Sequence, residues 1–242
     1  MSALAKLKTL YREQTFNPGI LGWLINPFYF IRSSIWNAVR ADAPKLKGKL
    51  LDFGCGAKAY RKLFEVEEYI GLDVEQEGHS HETEDVDVFY DGKIIPFANN
   101  TFDSCFSSEV FEHVFELELS LHEINRVLKP GGQGLFVVPF VWDEHEVPYD
   151  YGRYSSFGLE YLLEKCGFEI LQNRKDSHFV QVICQLWNLY LFNLGPSNKY
   201  LRLLYSLLVI APSSLFGLFF STLLPKKHSL YFNNVILVKK KG

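Results

Sequence analysis

From residue 50 onward, short apolar runs alternate with stretches in which apolar positions recur every three or four residues. The runs at 50–53, 69–74, 86–90, 102–107 and 134–140 read as strands. Residues 57–66 and 115–128 read as helices. In the second, Leu117, Leu121, Ile124 and Leu128 share one face, and Lys129-Pro130-Gly131-Gly132 stops it. Another helix covers 156–166 and is stopped by Gly167, a sixth strand opens over 168–171, and a last one covers 235–239. Upstream, residues 1–16 read as a basic helix or arm. Asn26-Pro27 then starts a helix over 27–41 that Ala43-Pro44 ends. This alternation predicts an α/β architecture: a mostly parallel seven-stranded sheet with helices on both faces.

The pattern breaks before the last strand. Residues 203–224, LLYSLLVIAPSSLFGLFFSTLL, hold no charge over 22 positions, long enough to span a bilayer. Pro212 and Gly217 interrupt the run, so a broken, re-entrant or surface-lying hairpin is expected. Before it, 179–192 is apolar except for Gln181, Gln185 and Asn188, whose helical spacing suggests the polar face of an interfacial helix. A single crossing would strand the last two sheet strands on opposite sides of a membrane, so an inserted segment must cross twice, re-enter or lie in the interface. A soluble lid or a dimer interface is the alternative. The division expected is an N-terminal helical cap over 1–48, a core over 49–176, the apolar insert over 177–228, and a final strand with basic tail over 229–242.

Charge sharpens this picture. Residues 177–242 carry seven Lys or Arg and no acid, whereas the remainder carries 18 basic and 28 acidic residues. A basic apolar tail on an acidic body favours a protein of the cytoplasm bound to the cytoplasmic face of a membrane. The overall net charge of −3 argues against nucleic acid as a partner. The four cysteines form no CxxC pair, so no metal site is expected from them.

The densest chemistry is Leu51-Asp52-Phe53-Gly54-Cys55-Gly56, where a strand ends. Glycines there let the backbone turn tightly and approach a ligand. The spacing Gly54, Gly56, Ala59 also fits a dinucleotide fingerprint. However, Asp52 would repel a pyrophosphate and suits a cationic ligand such as S-adenosylmethionine (SAM). Asp73 ends the next strand, where a carboxylate can accept ribose hydroxyls.

Taken together, the segments LLDFGCG, YIGLDV, DGKIIPFANNTFD, SSEVFEHV and LHEINRVLKPGGQGLFVVPF resemble the class I SAM-dependent methyltransferase superfamily over 50–140. HEVPYDYGRYSSFGLEYLLEKCGFEI extends the likeness to about residue 170. The resemblance implies a Rossmann-like fold with an apolar helical insert before the last strand, SAM as cofactor, and methyl transfer to a small, lipid-linked or glycan-type acceptor. It implies that Asp52, Gly54, Cys55 and Gly56 hold the methionine part, Asp73 the ribose, Asp91 and Gly92 the adenine, and that Ser107 and Ser108 face the sulfonium. Glu109, His113, Arg153 and Tyr154 are substrate-binding candidates, and His145 and Tyr149 catalytic ones. His145 is the expected base because its pKa class suits neutral pH. For Asp150, Arg153 and Tyr154 a rival reading is that they knit the loop together. Asp103 is expected to bond backbone at a strand start. A SAM-binding or membrane-tethered scaffold without turnover, and an NAD(P)-dependent oxidoreductase, are the rival functions. Acceptor atom and oligomeric state stay open.

Overall fold

The computed structural model describes residues 16–19, 22–74 and 85–242. Most of the expected basic arm, residues 1–15, lies outside them. The chain forms two compact units. One comprises residues 38–174 and 233–242, the other the described residues up to Asn37 together with 175–232. The described part of the expected cap up to Asn37 and the insert therefore belong to one unit, while residues 38–48 go with the sheet.

The first unit is built on a seven-stranded sheet: β1 Lys49–Phe53, β2 Glu68–Val74, β3 Val88–Tyr90, β4 Phe102–Ser108, β5 Leu128–Pro139, β6 Phe168–Lys175 and β7 Asn233–Lys240. The order is β3-β2-β1-β4-β5-β7-β6. β1 pairs in parallel with β2 on one side and β4 on the other, while β7 runs antiparallel to β5, with Leu135 opposite Leu237. The direction of winding thus reverses between β1 and β4. In open α/β sheets, ligands bind at this point, beyond the carboxyl ends of the strands.

Helix α1 (Tyr29–Asp42) bridges the two units in sequence, and α2 (Leu117–Val127) and α3 (Ser156–Lys165) belong to the sheet unit. α2 buries Leu117, Leu121, Ile124 and Val127, and α3 buries Leu159 and Leu163, in one core with Phe53, Phe102, Phe111, Phe136 and Phe168. Each such burial contributes about 1.5–3 kcal/mol.

Two local expectations fail. Residues 57–66 are not an α-helix but turns and one 3-10 turn, Arg61–Leu63. Lys58 adopts φ +48°, which ends helical propagation at the outset. Tyr60 and Phe64 are instead buried by rings of the sheet, Phe106 among them. The Lys129–Gly132 stretch does stop α2, but β5 starts directly at Leu128 and runs through it. Gly131 takes φ +78°, and the facing β4 shows a register shift between Phe102 and Ser104, so the glycines allow a bulge rather than a loop.

The second unit is mainly helical. α4 (Phe179–Asn193) is followed by a turn whose Asn198 Oδ1 accepts from Tyr200 N and Leu201 N, starting α5 (Lys199–Tyr205). The helix continues through a π turn, Ser206–Ile210, into α6 (Ala211–Leu223), making 25 helical residues without a break. Pro212 therefore does not break the run. The π turn, with Ala211 N donating to Ser206 O, shifts the ladder by one residue and absorbs the donor that proline lacks.

The polarity of this helical pair is inverted. Gln185 and Asn188, expected on a solvent face, are fully buried. Gln185 Oε1 accepts from Phe30 N (3.1 Å) and Ile31 N (3.4 Å), and its Nε2 donates to Pro27 O (2.9 Å), so it caps α1 across the fold of its own unit. Asn188 Nδ2 donates to Ser214 Oγ at 2.9 Å. The buried stripe of the long helix is Ser206, Ile210, Ala211, Ser214, Gly217 and Ser221. A side chain at Gly217 would meet Phe30 at 2.8 Å and Cys184 at 2.9 Å, so glycine sets how closely the helices approach. Large apolar side chains point outward: Trp187 is 53% exposed, Leu208 67% and Phe216 63%. The two open ends of the hairpin are tied together, with Phe179 N donating to Lys227 O at 2.8 Å. His228 Nδ1 lies 2.8 Å from Ser177 O.

Candidate active site

The glycine loop leaves β1 at the reversal point. Gly54 takes φ +73° and donates to Leu72 O (2.8 Å), and Gly56 takes φ +46°. A Cβ on Gly54 would lie 2.4 Å from Val110 Cγ2, whereas one on Gly56 would meet nothing within 4 Å among the described residues. One glycine is required by packing, the other borders open space. Asp73 holds the loop from β2: its Oδ2 accepts from Gly56 N (2.8 Å) and its Oδ1 from Val74 N (2.8 Å). Cys55 is buried, and burial raises its thiol pKa, so it stays protonated. Asp91, fully exposed, accepts from Lys93 N and Ile94 N in a turn, and these bonds lower its pKa. Gly92 beside it takes φ +77°.

Asp52 stands apart from this open edge. It is 3% exposed and accepts from Tyr69 Oη at 2.5 Å. Burial raises its pKa to about 7, against the pull of the Tyr69 bond. The protonated form is favoured by folding, so its contribution to stability is complete below pH ~4 and is lost as pH rises toward about 7. Denaturant titrations from pH 4 to 8 should show wild type losing stability relative to Asp52→Asn by a few kcal/mol, on the order of the shift. Parallel curves for the two proteins would refute this.

Beyond β4, Ser107 Oγ donates to Phe53 O (2.8 Å), tying β4 to β1, while the buried Ser108 Oγ makes no hydrogen bond among the described residues. Glu109 follows in the left-handed region, φ +57°, with its N–H on Val137 O. The chain then makes a 3-10 turn, Phe111–His113. Glu112 is fully buried, and burial with the nearby Glu109 charge pushes its pKa well up. His113 Nδ1 faces Tyr149 O at 2.9 Å; its pKa is lowered, chiefly by burial.

The loop after β5 folds back onto this turn, with Tyr151 N donating to Glu112 O at 2.7 Å. Asp150 pairs with both terminal nitrogens of Arg153, which holds its pKa down at about 2, and accepts from His145 N at 3.1 Å. Arg153 also donates to the carbonyls of Gly152 and Asp143. It is thus engaged within the loop, which favours the knitting reading over an anion-binding one. Tyr154 is half-buried and its carbonyl accepts from Asn234 Nδ2. Tyr149 contributes its carbonyl to His113. His145 reaches His113, ring centroids 4.7 Å apart. Asp103 bonds Lys49 N and Lys129 at a strand start, as its position implied.

This geometry coincides with a sequence match: residues 51–136 fit the family described as Methyltransferase domain. The chain carries a class I SAM-dependent methyltransferase domain. The methyltransferase domain has a curated relative, a malonyl-acyl-carrier protein O-methyltransferase of Erwinia pyrifoliae, 34% identical over 94 residues that span 36% of this chain and 36% of that enzyme. Among solved structures, the fold is similar to the 4+2 cyclase SpnF (TM-score 0.55, 20% identity, 87% of this chain and 82% of that one). It is also similar to a SAM-dependent methyltransferase of Mesorhizobium loti (0.52, 14%, 87% and 100%). A third is phosphoethanolamine N-methyltransferase 2 of Haemonchus contortus, solved with SAM (0.51, 19%, 85% and 52%). At these identities the likeness shows the fold, and a cyclase in the set shows how far the chemistry on it ranges.

Beyond the residues given a specific role, the methyltransferase domain also uses Asp87 and Glu146. Asp87 accepts from Gly71 N (2.6 Å) and Lys58 Nζ (2.8 Å), bracing the strand beside the glycine loop. Glu146 Oε2 lies 3.4 Å from His113 Nε2. The acidic density of 143–150 was the only signal for the latter.

Proposed function

We propose that the protein transfers the methyl group of SAM to a small acceptor carried by a lipid, while its helical unit rests on an anionic membrane surface. The observation that carries this reading is the inverted hairpin: small and polar side chains inside, large apolar ones outside. Helix pairs in contact with lipid are built this way, because acyl chains solvate Leu and Phe while close approach is left to Ser and Gly. A soluble core helix would be mostly buried, whereas only 28% of the most apolar window of the Lys199–Leu223 helix is.

The hairpin's dimensions favour lying in the interface over crossing. α4 has 15 residues, about 22 Å at 1.5 Å each, short of a ~30 Å hydrocarbon core. Its tied ends return the chain to the side it left. Lys226 and Lys227 stand at the open end and Lys199 and Arg202 beside the turn, so a flat pose keeps all four near lipid phosphates. Two similar proteins, a carrier-bound malonyl O-methyltransferase and a phosphoethanolamine N-methyltransferase, support acceptors of this size. Catalysis then rests on alignment of methyl and acceptor in a dry site. His145, held by Asp150, or His113 takes a proton where the acceptor carries one.

The test is flotation with vesicles of phosphatidylcholine alone or with phosphatidylglycerol, followed by labelled methyl transfer from SAM to a lipid extract. The protein should float with the anionic vesicles and label a solvent-extractable product. A Leu208→Lys/Phe219→Lys variant, altered only at exposed positions, should stay unbound yet still bind SAM. Wild type remaining unbound and monodisperse without detergent would replace this reading with a soluble lid or dimer face.

A further inference from the structure

We propose that Glu112, His113 and His145 form a binding site for one divalent first-row transition ion, on the acceptor side of the methyltransferase domain. Each of the three brings one ligating atom within 4.8 Å of the others. They come from different segments, the turn after β4 and the loop after β5, which the bonds of Tyr151 N and Gly152 N to Glu112 O clamp together. The cluster therefore sits beyond the carboxyl ends of two adjacent parallel strands, where the fold receives its substrates.

Two independent features point to a cation. Glu112 is 0% exposed, and among the described residues neither of its carboxylate oxygens accepts a hydrogen bond. A buried carboxylate without donors is costly unless a positive charge meets it. His113 is arranged as a ligand: with Tyr149 O accepting from Nδ1, its Nε2 keeps its lone pair, 3.7 Å from Glu112 Oε1 and 3.4 Å from Glu146 Oε2. Such a carbonyl behind a ring nitrogen is the usual support of a metal-bound imidazole. His145 is likewise fixed by its backbone N–H on Asp150 and by its ring nitrogen against Asp143 O.

The donor set selects the ion class. Two imidazoles with one or two carboxylates suit Zn²⁺, Mn²⁺, Fe²⁺ or Co²⁺, whereas Mg²⁺ and Ca²⁺ take oxygen ligands. With Glu146 as a fourth ligand, remaining positions would take an oxygen of the acceptor, a hydroxyl or a carboxylate. The inference does not depend on the acceptor being lipid-linked.

Calorimetric titration of chelator-dialysed full-length protein with Zn²⁺, Mn²⁺, Co²⁺ and Mg²⁺ chlorides tests it. One equivalent of Zn²⁺ or Mn²⁺ should bind, Mg²⁺ should not, and bound Co²⁺ should show visible d–d bands characteristic of its ligands. Glu112→Gln, which preserves shape, should weaken binding by about 100-fold or more. Should Glu112→Gln fold poorly, His145→Gln at the more exposed edge carries the same expectation. No saturable binding by wild type, or binding that survives both substitutions unchanged, overturns the site and leaves the two imidazoles available as bases, which metal-bound imidazoles are not.

Discussion

Asp73→Asn is expected to weaken SAM binding about a hundredfold while the protein stays folded. The carboxylate already organises the loop, accepting from Gly56 N and Val74 N. The resemblance to class I methyltransferases assigns it the ribose hydroxyls as well. Hydrogen bonds to a charged group contribute about 1.5–3 kcal/mol each. Asparagine keeps one acceptor but turns the other into a donor, which opposes either Gly56 N–H or a hydroxyl. A loss near 3 kcal/mol corresponds to about two decades of affinity. Calorimetric titration with SAM, with the melting temperature measured alongside, separates loss of ligand from loss of fold. Retention of affinity within threefold in a well-folded variant would remove Asp73 from the site.

The two loop glycines should respond oppositely to a methyl group. Gly54→Ala places a Cβ 2.4 Å and 2.6 Å from the Val110 methyls in a φ +73° conformation. Left-handed strain of about 1–2 kcal/mol and overpacking of about 1–3 kcal/mol then act together, so stability falls first and SAM binding with it. Val110→Ala in the same chain should restore part of that stability. Gly56→Ala meets no atom of the described residues within 4 Å. It should melt within about 1–2 kcal/mol of wild type yet lose SAM affinity at least tenfold, because its methyl enters the space the ligand needs. Equal melting of both variants would show that the loop is not divided in this way.

Much of the sheet could be read from the chain. Buried strands such as 134–139 are continuous apolar runs and 50–53 is broken only by Asp52, and glycines and acids at strand ends sit where ligands gather. The α2 stripe was legible because its period is 3.6. The segment after the glycine loop was not: AKAYRKLFEV reads as a helix, and only the tertiary burial of Tyr60 and Phe64, with Lys58 left-handed, overrides that propensity. The spacing of Gln181, Gln185 and Asn188 was read correctly as one face of a helix, but periodicity says nothing about which way a stripe points. Here Gln185 and Asn188 face inward to donors and acceptors far along the chain. Pro212 was read as a breaker because local rules do not foresee a π turn. Glu112 and His145 lie 33 positions apart in the numbering, and only strand pairing reveals them as neighbours.

The bond from Phe179 N to Lys227 O gives the helical hairpin a narrow neck. The chain leaves and returns through almost the same point, so about fifty residues form a closed loop, held a second time at the start of α1, where Gln185 meets Phe30 N, Ile31 N and Pro27 O. Cutting the hairpin out would therefore uncap α1 and bare the face of Phe30 that Gly217 covers. The two stretches of the helical unit, far apart in the chain, depend on each other and would have to be gained or lost together.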